Sequence, residues 1–259
     1  MIALDIEQQA SQNLVGTYFR LGCATPGARI WKEDGFRICT GAFEHPICNF
    51  AADLNLTPRA VYRLQEIASN RTSFNVYVLP GDEPHGAGEM LLEAGFRVGH
   101  SLHQMAADPV HRPCGVELIE AVTPNERARV ARFMVDQFFS RQAQTFRRRV
   151  AETTCAAVEL PLYTVEDRGK IVGAVMLSES SSVLGIYNLC VASGFRGRGW
   201  GTELVQGVIN MGAKKDRPVV LQCEAALQPW YSNRTFTPIG PVLIHSLPKS
   251  YALDIMRQR

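Results

Sequence analysis

The chain has 259 residues, of which 46% are hydrophobic and 20% charged, and its 27 basic and 25 acidic side chains leave a formal charge of +2. This is the balance of a chain that can bury a core, so disorder is excluded, as is a global field that would draw the molecule onto nucleic acid or anionic lipid. At about 150 residues per domain the length suits two compact lobes.

Residues 5–21 carry Ile6, Ala10, Leu14, Val15, Tyr18 and Phe19 at helical spacing. ARIWKE, FRICTGAF and CNFAADLNL follow as strands separated by Gly, Asp and Pro. Thr57 and Pro58 read as N-cap and first residue of a helix whose buried stripe is Val61, Leu64, Ile67 and Ala68. FNVYVLP is a strand, GAGEMLLEAG a short helix and FRVGHSLHQMA a further strand. Residues 107–115, with two prolines and little apolar periodicity, read as a linker. After it the order returns: VELIEAV as a strand, a helix from Pro124, a second basic helix to about Ala157, a hairpin around residues 167–170, LGIYNLCVA as a strand, GWGTELVQGVINMGAKK as a helix, PVVLQCE as a strand, QPWYSNR as a short helix, and a closing segment. The repeat predicts an α/β chain of two similar lobes, residues 1–108 and 115–259, each with a mixed sheet.

Seven cysteines stand singly, without Cys-x-x-Cys spacing, as expected of reduced thiols in a cytoplasm. The N-terminus lacks a basic start followed by an apolar run, and no stretch approaches ~18 uninterrupted apolar residues, so neither export nor membrane spanning is expected.

The chemistry concentrates in NLCVASGFRGRGWGTEL, residues 188–204. A strand runs into a loop with Gly194, Gly197, Gly199 and Gly201, flanked by Arg196 and Arg198, and a helix begins there. Glycines permit positive φ and close backbone approach, while the helix N-terminus offers unpaired donors and partial positive charge. Such a loop is a cradle for a pyrophosphate.

Residues 196–201, Arg-Gly-Arg-Gly-Trp-Gly, resemble the Arg/Gln-x-x-Gly-x-Gly/Ala signature of the GCN5-related N-acetyltransferases. The resemblance implies two tandem acyl-CoA N-acyltransferase lobes and acetyl-CoA, or a close relative, as donor. It assigns Leu189, Cys190 and Val191 to pantetheine, and Arg196, Gly197, Arg198, Gly199, Trp200, Gly201 and Thr202 to phosphate. YSNRTF, residues 231–236, is similar to the family's Tyr-x-x-x-Gly-Phe, with Thr235 where glycine is usual. Tyr231 is then the general acid for the leaving thiolate, or an aromatic packed between helix and sheet; a phenol near pKa ≈ 10 is a reasonable match for a thiolate. Glu224, on a strand face with Val220 and Gln222, is a candidate base through water, or a residue that holds a loop. Asn188 stands where the family often has glutamate.

The expected acceptor is a primary amine of a small molecule or peptide, with no metal; a homodimer is left open. Arg141, Arg147, Arg148 and Arg149 read as a solvated helix face, or as an entrance for an acidic substrate or nucleic acid. His100 and His103, three apart on a strand, point to opposite faces and make a poor metal pair. Two other functions remain open, an acyl-CoA sensor without turnover and acyl transfer from a carrier protein or aminoacyl-tRNA.

Residues 91–105, LLEAGFRVGHSLHQM, resemble the closing segment of the same family, so the first lobe is a diverged copy. Its segment at the loop position, LNLTPRA at residues 54–60, has no glycine and contains Pro58, which removes a donor. That lobe is expected not to hold CoA but to shape the acceptor pocket.

Overall fold

The computed structural model describes residues 2–43, 45, 48–71 and 73–248, with side chains from residue 6 onward. In chain order the elements are α1 (Ile2–Ala24), β1 (Arg29–Glu33), β2 (Phe36–Thr40), β3 (Phe50–Ala52), α2 (Pro58–Ser69), β4 (Asn75–Val78), α3 (Ala87–Glu93) and β5 (Arg97–Ala107). Then come β6 (Ile119–Glu120), α4 (Pro124–Phe138), α5 (Gln144–Ala156), β7 (Leu162–Asp167), β8 (Lys170–Glu179), β9 (Leu184–Val191), α6 (Trp200–Lys214), β10 (Val219–Cys223), α7 (Gln228–Ser232) and β11 (Thr237–Ser246). The chain packs as two compact units, one running to His103 and resuming at Gly240, the other Gln104–Ile239.

In the first unit the strands follow the order β1-β2-β3-β4-β11. Only β3–β4 is parallel. Strand alternation sorts the side chains by face. Ile38, Ala51 and Val76 join Leu64 of α2 and Leu91 of α3 in one core, while Phe50 and Tyr77 meet Tyr18 and Phe19 of α1 edge-on or tilted. The Thr57 hydroxyl caps α2 by accepting from the Ala60 N–H, and Pro58 occupies the first turn.

The second unit has the order β10-β9-β8-β7-β6, with only β10–β9 parallel. Arg168 and Gly169, at φ 50° and 75°, make the two-residue turn that the sequence marks between β7 and β8. Leu204, Val205, Val208 and Ile209 of α6 are buried against Val175, Leu177, Leu184, Ile186 and Leu221. Each such side chain contributes about 1.5–3 kcal/mol, enough to hold the helix's N-terminus at a fixed place on the sheet. On α4, Thr123 and Glu126 form a reciprocal capping box. Arg127 is buried beside it and donates to the carbonyls of Thr154, Cys155, Ala157 and Leu160, which closes the C-terminal end of α5.

VELIEAV is a strand only at Ile119 and Glu120, because Leu118 packs against Gly207 of α6 instead. The segment before it is tied to α6: Asn210 exchanges hydrogen bonds with the Arg112 backbone, and Glu203 accepts from the Gly115 N–H at 2.6 Å. No helix among the described residues is long and apolar enough to cross a membrane.

Candidate active site

β9 carries the site because its pairing changes partway along. Toward β10 the register runs Val219↔Leu184, Val220↔Gly185 and Leu221↔Ile186. Toward β8 it shifts, with Met176 opposite Tyr187 but Ala174 opposite Cys190, so β9 holds one extra residue. Asn188, exposed and at φ 49°, takes up that bulge. The described β10 pairing ends at Ile186, so Leu189, Cys190 and Val191 have no strand partner on that side. Leu189 packs on the α6 core and Cys190 is buried, its thiol pushed up to about 12 by desolvation and therefore uncharged.

After β9 a 3-10 turn at Ser193–Phe195 leads into the glycine loop. Gly197 and Gly199 sit at φ 74° and 88°, and a Cβ on either would meet no atom within 4 Å. Positive φ and open space coincide, so these positions favour glycine for the backbone and leave room for a ligand. None of the N–H groups from Gly197 to Thr202 has a protein acceptor among the described residues. Arg196 folds back, its Nε donating to the Val191 carbonyl at 3.1 Å. Arg198 lies over the Phe195 ring at 5.7 Å.

Gly201 and Trp200 do something different. A Cβ at Gly201 would meet the Trp230 ring at 3.3 Å, so the missing side chain makes room for an indole and leaves the backbone N–H to face elsewhere. Trp200 is the first residue of α6, packed on the core with its ring edge-on to Phe195. A cavity of about 310 Å³ is lined by Gly197, Gly199, Thr202, Arg196, Trp230 and Arg234 among others. Trp230 and Arg234 are missed as site residues by sequence reasoning, although they lie in and beside the YSNRTF motif; their adjacency to Thr202, 32 residues before Arg234, is a tertiary fact.

Tyr231, on α7, is 8% exposed and stacks edge-on with Trp230 and Phe236. Burial pushes its phenol up to about 12, with Cys223 adding to the rise and Arg234 opposing it. The expectation of an ordinary phenol near 10 is thus corrected by desolvation, and the group stays protonated through the neutral range. Glu224 falls outside β10, which ends at Cys223. It is exposed, and its carbonyl accepts from Leu227 N–H to close a 3-10 turn, so strand alternation does not govern it.

The first unit's counterpart, residues 54–60, has four of its six backbone donors bonded within the protein. Leu54 N–H goes to Asp82 Oδ1, Asn55 N–H to the Gly35 carbonyl, Leu56 N–H to the Glu83 carbonyl and Ala60 N–H to Thr57. Of the basic helix, Arg147 pairs with Asp136 at 2.9 Å and Arg148 with Glu152 at 3.6 Å.

Residues 119–245 match the family model described as an acetyltransferase (GNAT) domain. A GCN5-related N-acetyltransferase from Kribbella flavida superposes with a TM-score of 0.64 at 13% identity, covering 95% of this chain and 96% of that one. A protein of unknown function from Staphylococcus epidermidis gives 0.63 at 15% identity, over 85% and 94%. A tandem GNAT protein from the clavulanic acid biosynthesis pathway gives 0.57 at 16%, over 85% and 83%. A search of curated proteins finds no match. Residues 119–245 are thus an acetyltransferase domain of the GNAT kind, and the whole chain has the two-lobed α/β fold of these GCN5-related N-acetyltransferase structures.

Proposed function

We propose that the GNAT domain transfers an acyl group from acyl-CoA, acetyl-CoA being the expected donor, to a primary amine of a small molecule or peptide by direct attack. The observation that carries this reading is the run of N–H groups from Gly197 to Thr202 without acceptors among the described residues, beside two glycines whose Cβ positions are open. A diphosphate supplies the acceptors that this backbone lacks. Arg196, Gly197, Arg198, Gly199, Gly201 and Thr202 would hold it, and the backbone of Leu189, Cys190 and Val191 would pair with pantetheine. Trp200 serves by packing.

In the reaction a carbon–nitrogen bond forms, the carbon–sulfur bond breaks, one proton leaves the amine and one reaches the sulfur. Tyr231 is the proposed proton donor. Its raised pKa does not by itself make the transfer steeply uphill, because a thiolate desolvated in the same surroundings is raised as well; the neighbouring Cys223 thiol is pushed up by burial. Glu224, exposed at the end of β10, is the proposed proton acceptor through water. The unpaired state of all seven cysteines supports a reducing cytoplasm as the compartment.

Thiol release from acetyl-CoA with a panel of amines tests the reading. Amine-dependent release that Glu224→Gln slows at neutral pH is expected. CoA binding without release from any amine would instead make the protein an acyl-CoA sensor.

A further inference from the structure

We propose that Arg234 is a phosphate ligand of the donor site, a guanidinium fork brought by α7 and locked in place before the ligand arrives. The inference rests on the acyl-CoA reading above and adds to the backbone cradle a charged side chain from outside the glycine loop.

A guanidinium has five N–H donors in a fixed plane. At Arg234 the Nε–H and one hydrogen of Nη2 go to the Thr202 hydroxyl oxygen, at 3.0 and 2.7 Å, and one hydrogen of Nη1 goes to the Trp230 carbonyl. That leaves one donor on each terminal nitrogen, the pair that suits two oxygens of one phosphate. The guanidinium carbon lies over the Trp230 ring, 3.6 Å from its centroid, so the indole braces the group as well. The Thr202 oxygen receives two N–H groups, and its own O–H remains to donate elsewhere.

The charge has no carboxylate partner among the described residues. Arg37, Arg63, Arg129 and Arg147 each pair with a carboxylate. Arg234 has none among the described residues and is partly desolvated against Trp230 and Thr202. Removing a cation from water without a counter-charge is unfavourable, and here the exposed edge lines the same cavity as Gly197, Gly199 and Arg196. An anion in that cavity satisfies the fork, the hydroxyl and the loop N–H groups together. The same contacts bear on Gly201, where a side chain would press on the indole that braces the guanidinium.

Calorimetric titration with CoA at two ionic strengths, on wild type, Arg234→Met and Arg234→Lys, tests the proposal. Arg234→Met should weaken CoA by about 10- to 100-fold and flatten the salt dependence of binding. Arg234→Lys, which keeps the charge but loses the fork, should fall between. With acetyl-CoA the KM should rise and kcat hold, while kcat/KM for S-acetylpantetheine, which lacks the diphosphate, should stay within about 2-fold. Equal CoA affinity in folded Arg234→Met overturns the proposal. So does an equal loss with S-acetylpantetheine, which would make Arg234 a staple between α7 and α6 only. If Arg234→Met does not fold, Arg234→Lys with unchanged affinity and salt slope overturns it too. A wild-type protein that binds no CoA defeats the acyl-CoA reading itself, an outcome distinct from the others.

Discussion

The sharpest perturbation is Gly197→Ala with Gly199→Ala. Both positions have φ in the left-handed region, where an L side chain costs roughly 1–2 kcal/mol per residue, so the double variant should lose about 2–4 kcal/mol of stability and still fold. The ligand term is larger. With no protein atom within 4 Å of either Cβ position, an added methyl has no other group to displace and occupies the space a phosphate needs. Losing two or three charge-assisted hydrogen bonds, at about 1.5–3 kcal/mol each, weakens binding by roughly 10²–10⁷-fold. Gly194→Ala is the internal control, because that Cβ also meets nothing within 4 Å while Gly194 is not among the positive-φ glycines. Calorimetry with CoA, beside a thermal melt, separates the two effects. CoA affinity within 3-fold of wild type in a folded double variant would refute the cradle.

Tyr231→Phe keeps the edge-on ring contacts and removes the proton donor, so kcat should fall about 10²–10⁴-fold with CoA affinity nearly unchanged. The same variant should resist alkali better. A phenol raised from 10.0 to about 12 contributes stability that is whole below pH 10 and lost as pH rises toward 12, up to about 2.7 kcal/mol, and circular dichroism in that window reads it. Titration with CoA should give one site per chain, because four of the six backbone donors of residues 54–60 are already bonded and Pro58 has none; two comparable sites would show the first unit to be a second donor site. Arg127→Met should cost about 3–5 kcal/mol in urea unfolding, since it strips several buried carbonyls of their donor.

What the sequence by itself determined are the features set by neighbours a few residues apart. The Thr57-Pro58 helix start, the turn at Arg168 and Gly169, the buried stripe of α6 and the glycine run at residues 194–201 are all legible, because each reflects a local torsion or a periodicity. Pro58 likewise signals that the first lobe's loop lacks a donor. That Asp82 and Gly35 consume the donors of Leu54 and Asn55 could not be read, since those partners come from 28 and 20 residues away and only packing brings them together. The bulge at Asn188 has the same origin. It follows from how β9 meets β8, and Asn is merely a residue that tolerates a positive φ. Gly201 shows the limit most clearly. In the sequence it is one more glycine of a phosphate loop, while in the fold it is the floor beneath Trp230, because the indole reaches it from a helix nearly thirty residues on. Local chemistry announces a cradle; which side chains complete it depends on long-range packing that no spacing rule encodes.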